Sequence, residues 1–158
     1  MLGVTIALEH FTAMMADLFL DNPDLWANTP DDIVRLWQWH AMEETEHKAV
    51  AFDVFLAATK DWTPKQRFAL RRRVMLLSTF FFTRNITQYA SKLLVADGEN
   101  PVVARVKVLN YLFGKPGLFR KSWRAYGDWF RPDFHPWNHD NRGKLEHWRG
   151  MFTAQAAA

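Results

Sequence analysis

Hydrophobic positions along the chain recur at helical spacing from one end to the other. Between Leu2 and Leu20, the residues Ile6, Glu9, Ala13, Ala16 and Leu20 share one face, which is apolar apart from the single acid. A second stripe passes through Ile33, Leu36 and Trp37 and resumes at Val50, Ala51 and Val54. Between its two halves stands the octet His40-Ala-Met-Glu-Glu-Thr-Glu-His47. On a helix His40, Glu43, Glu44 and His47 fall at i, i+3, i+4 and i+7, so all four project from the stripe within about two turns.

The pattern predicts helices at 2–20, 30–59, 64–96, 101–113, 117–130 and 140–152, and no segment alternates like a strand for long. Thr29-Pro30-Asp31-Asp32 and Thr63-Pro64-Lys65-Gln66 each place Thr at the N-cap, Pro at the first helical position and an acid or amide at the third. Asn100-Pro101 repeats the signal, and breaks are marked at Asn22-Pro23, Asp97-Gly98, Gly114 to Gly117 and Arg131-Pro132. The second and third helices, about 30 residues each, suit an all-α bundle.

A stripe of this kind is expected to be buried, and a buried charge is costly unless it is paired or binds a metal. Carboxylate and imidazole together suit iron, manganese or zinc, so the octet is a candidate metal site. Glu9 lies 11 residues before Leu20 and His40 lies 11 residues after Thr29. Each is therefore roughly 16 Å from the connecting loop, and antiparallel packing brings Glu9 level with His40 to Glu44 to within about a turn. A lone Glu9 beside the Glu-x-x-His of Glu44 and His47 is half of the di-metal ligand set of a ferritin-like four-helix bundle. The expected fold is thus an incomplete ferritin-like helical bundle, a single domain over 1–158.

Composition narrows the chemistry. With 158 residues, 49% of them hydrophobic, the chain is long enough for a real core. There is no cysteine, which excludes disulfides, thiolate zinc sites and cysteine nucleophiles and fits a cytoplasmic protein. No signal peptide is expected, because a basic region is missing ahead of Glu9 and His10. The apolar run Val74 to Phe82 is too short to span a bilayer, which needs about 20 residues.

The net charge of +3 hides an asymmetry. Residues 1–61 carry three basic side chains against eleven acidic ones, and residues 62–158 carry seventeen against six. The acidic part holds the ligand helix pair and the basic part the remaining helices, their charges read as solvated faces. Arg71-Arg-Arg73 ahead of Val74 to Phe82 admits peripheral membrane contact, whereas nucleic-acid binding has no motif beyond charge.

Three ordered blocks carry a family resemblance: Ala7-Leu-Glu-His-Phe-Thr-Ala13, Trp39-His-Ala-Met-Glu-Glu-Thr-Glu-His-Lys-Ala-Val-Ala-Phe-Asp53 and Arg131-Pro-Asp-Phe-His-Pro-Trp137. In these the chain resembles the bacterial predicted metal-dependent hydrolases. The resemblance implies a metal site formed by Glu9, Glu44 and His47, while His40 and Glu43 match positions of unassigned role. It also implies an upstream helix pair with a further acid and a further Glu-x-x-His. The expectation is either that pair or a homodimer in which a two-fold axis brings both copies of the three ligands together.

Several readings stay open on the sequence. The metal would activate water for hydrolysis of an unknown small molecule, or a di-iron pair would activate oxygen, or the chain is a truncated, non-catalytic helical protein. Glu44 and His47 without metal would form a buried cluster with Arg35 or Lys48. Glu46 and Lys48 are expected to face solvent, and His10 to lie at the surface or behind the site. Asp133, His135, His139 and Asp140 are read with Phe134, Pro136 and Trp137 as a packing clamp of the C-terminal tail. The eight tryptophans are expected in the core and at helix crossings, and Trp37 and Trp39 could also line a pocket by the metal.

Overall fold

A computed structural model describes residues 1–156, and among them every regular element is helical. The elements are α1 (Leu2–Asp21), α2 (Asp31–His47), α3 (Val50–Ala58), α4 (Pro64–Ala96), α5 (Pro101–Phe113), α6 (Leu118–Lys121), α7 (Trp123–Asp128) and α8 (Arg142–Ala156). Two short 3₁₀ turns lie at Pro23–Trp26 and Pro136–Asn138. The all-α expectation holds.

The starts of α4 and α5 follow the sequence signals. Thr63 accepts from the Gln66 N–H while the Gln66 side chain accepts from the Thr63 N–H, a complete capping box. Asn100 Oδ1 accepts from the amides of Val102 and Val103. The start of α2 differs from the expectation: Pro30 is its N-cap, and Thr29 belongs to the preceding turn through its N–H to Trp26 O.

Helix α1 is central. It runs antiparallel to α2, with the Phe19 ring against Trp37 near one end and Glu9 beside Glu44 and His47 near the other. Its opposite face packs parallel to α4: Gly3 lies against Val74, and Phe11 stacks on Phe82 with ring centroids 4.9 Å apart. Ile6, Ala7, Phe11 and Met14 join Phe52, Phe55, Val74, Met75, Trp129 and Phe134 in the main core. By length and composition α1 is also apolar enough to cross a membrane, but here its buried face is committed to this core.

Helices 30–59 and 117–130, each expected as one piece, are both divided. The first breaks at Lys48-Ala49, where no Gly or Pro announces it. Lys48 turns inward to donate from Nζ to His139 O at 2.6 Å and to Asn141 Oδ1 at 2.7 Å, and it lies under the Trp137 ring. The solvent-facing role expected of Lys48 is therefore wrong: the residue is buried, and the C-terminal tail accepts two of its three ammonium protons. Burial pushes its pKa down to about 8, against the pull of Asp17 and Asp140. Glu46 also gains a tail partner, an ion pair with Arg149 of α8.

The C-terminal clamp is present. Phe134 and Pro136 are buried, and α8 is tied to α1 by Lys144 Nζ, which reaches Asp17 at 2.8 Å and Asp21 at 2.7 Å.

Candidate metal centre

The antiparallel pairing of α1 and α2 does what the counting argument predicts. Glu9, from the first helix, comes into electrostatic range of Glu44 and His47 from the second. Partial burial raises the Glu9 pKa, the Glu44 carboxylate raises it further, and His47 opposes them. Two carboxylates and an imidazole on one open face are a donor set that a divalent cation would relieve of its repulsion, so the residues fit a metal in kind. They are not drawn into a closed ligand cluster: among the described residues no three His, Asp or Glu side chains converge to hold an ion.

The neighbouring candidates divide. His40 sits one turn before Glu44, with Nε2 3.5 Å from Glu44 Oε1, and its ring meets the edge of Trp37 at 5.8 Å. Glu43 leans the other way, toward the α8 side, where its charge adds to that of Glu46 around the Arg149 guanidinium. Among the described residues, neither Arg35 nor Lys48 pairs with Glu44 or His47.

The expected burial of the apolar stripe is overturned. Ile33, Leu36, Trp37, Val50 and Val54 are between 40% and 58% exposed, and Trp39 is exposed beside them. The face of α2 that enters the core is instead Ala41, Met42 and Thr45, which α1 and α8 cover. Helical periodicity shows that a face is apolar but not which neighbour covers it, and here no described residue buries the stripe.

His10, expected at the surface or behind the site, lies in the core. Its Nε2 is 3.0 Å from Ala125 O, and its ring meets Trp129 and Phe134, each with centroids 5.1 Å away. Burial pushes its pKa down to about 4, and a neutral imidazole donating to Ala125 O satisfies the geometry. The His and Asp residues of the tail are also separately partnered. His135 pairs with Asp53 at 2.9 Å, His139 with Asp128 at 3.2 Å, Asp133 with Arg131 and Asp140 with Arg142.

A family model described as "Predicted metal-dependent hydrolase" matches residues 1–140. The chain belongs to the predicted metal-dependent hydrolase family. No curated protein and no solved structure matches it. The family implies a divalent metal ion. In this predicted metal-dependent hydrolase, the matched segment contains all five candidate ligands, the whole of the α1 and α2 pairing and the buried His10.

Proposed function

We propose that Glu9, Glu44 and His47 hold a divalent metal ion and that the protein hydrolyses a small molecule bound over the open face of α1 and α2. The observation that supports this reading is the pairing of Glu9 with Glu44 and His47 across two antiparallel helices, in a chain whose family is metal-dependent. A bound metal of this kind supplies a water of lowered pKa and polarises the group under attack.

The chain's own residues have distinct tasks. His47 offers a ring nitrogen, and the two carboxylates offer oxygen from opposite helices. His40, facing Glu44 Oε1, restrains the orientation of that carboxylate. Trp37 and Trp39 present apolar walls beside the ligands, suited to holding an organic group and limiting its access to water.

A second copy of the chain completes the site. A two-fold axis over the Glu44 face would cover Ile33, Leu36, Trp37, Val50 and Val54 and bring two Glu9, Glu44 and His47 sets together. The test is hydrolysis of a panel of chromogenic esters, phosphoesters and amides by protein loaded in turn with zinc, manganese and iron. Metal-dependent turnover abolished by Glu44→Ala and His47→Ala supports the reading. Turnover that ignores both substitutions contradicts it.

A further inference from the structure

Helices α4 and α5 part along their solvent side to leave a groove of about 1020 Å³. It shares no lining residue with the Glu9, Glu44 and His47 face. Its volume is at the upper end of small-molecule sites, which run to about 1,000 Å³. On α4 the lining extends from Thr79 to Val95, about 24 Å at the helical rise.

The lining is amphiphilic in an ordered way. Because α4 and α5 join through the short connection 97–100, counting outward from it sets Arg105 level with Lys92 and Leu109 level with Gln88. Two cations thus face one another near the connected end, while Leu109 and Phe80 line the way to the other end. A third cation, Arg84, flanks the groove, and no acidic side chain lines it. Among the described residues none of the three cations forms an ion pair. Lys92 Nζ lies over the Tyr89 ring, 5.5 Å from its centroid.

The α4 wall of the groove also carries two hydroxyls. Thr87 Oγ1 and Ser91 Oγ, one helical turn apart, are buried without a hydrogen-bond partner among the described residues, and Thr87 as a whole is 7% exposed. Buried hydroxyls ordinarily have partners. An anionic head group at the level of Lys92 and Arg105 would lie between both positive charges.

We propose that this groove binds a single-chain amphiphile with an anionic head group, the head between Lys92 and Arg105 and the alkyl tail along Leu109 and Phe80. The chemistry required is one carboxylate or phosphate on a long apolar chain, taken up as a monomer.

The test is calorimetric titration of the full chain with dodecanoate below its micelle concentration. One equivalent per chain is expected, with affinity at least tenfold weaker in K92E/R105E and an unchanged thermal melt, since both side chains are exposed. Dodecyltrimethylammonium, with the same tail and a cationic head, is expected to bind at least tenfold more weakly than dodecanoate. Should the double reversal fail to fold, Arg105→Gln reads the same contact with a loss of at least threefold. Equal binding of both head groups, uptake of several equivalents, or unchanged affinity in the folded variants would overturn the proposal. Binding to phosphatidylglycerol vesicles without binding of monomeric dodecanoate would also overturn it, in favour of a membrane surface.

Discussion

Arg71 and Trp129 exchange hydrogen bonds in the middle of the main core: the guanidinium donates to Trp129 O, and Trp129 Nε1 donates to Arg71 O at 3.1 Å. The same Arg71 nitrogen reaches Arg131 O at 3.2 Å, and the charge lies within 5.4 Å of the Phe52, Trp129 and Phe134 ring centroids. Burial lowers the Arg71 pKa to about 10, which leaves it protonated at neutral pH. Arg71→Met preserves most of the volume but leaves the Trp129 and Arg131 carbonyls without their donor. The expected cost is about 2–4 kcal/mol, read as a lower urea midpoint at constant slope. An unchanged midpoint would show that these bonds contribute nothing net.

His10 makes stability depend on pH. Its ordinary pKa of 6.5 in the unfolded chain falls to about 4 in the core. The unfolded state therefore binds the proton first, and the His10 contribution is fully present above pH 6.5 and lost as pH falls toward 4. The loss is of order 3 kcal/mol at most. In His10→Gln this part of the pH dependence between 6.5 and 4 should vanish in urea titrations. An identical slope in both proteins would place the titrating group elsewhere.

The Thr63 capping box gives a local test. Thr63→Ala removes the oxygen that accepts from the Gln66 amide. A loss of about 1 kcal/mol is expected, measured as a decrease in thermal midpoint, and Thr63→Asn should restore most of it.

The parts of the fold that were legible in the sequence are those set by local chemistry. Thr63-Pro64 and Asn100-Pro101 mark their helices because cap and proline act within one turn. Glu9 could be placed level with Glu44 because helical rise is constant. The break at Lys48-Ala49 was not legible: its partners, His139 and Asn141, are more than 90 residues away and arrive only with the tail. His10 was misplaced for a related reason, since its hydrogen-bond partner Ala125 comes from α7. The stripe through Leu36 and Val54 is apolar as read but exposed, because periodicity carries no information on which element packs over a face and no described residue covers this one.

That uncovered stripe predicts self-association. Leu36 is 56% exposed and Val50 58%, on the two helices either side of the break that follows His47. Leu36→Glu with Val50→Glu should convert a dimer to a monomer in light scattering, at little cost to the thermal midpoint. A wild-type protein that remains monomeric at high concentration would remove the dimer from the proposal.

The metal itself is tested by elemental analysis of protein purified without added metal, coupled to size-exclusion chromatography with light scattering, on wild type, Glu44→Ala and His47→Ala. Iron, manganese or zinc near one atom per chain is predicted in a wild-type dimer, with at least a tenfold drop in either variant; the metal found would choose between hydrolysis and oxygen activation. A folded wild-type protein that carries no metal, or metal retained in full by both variants, would contradict a site built on Glu9, Glu44 and His47.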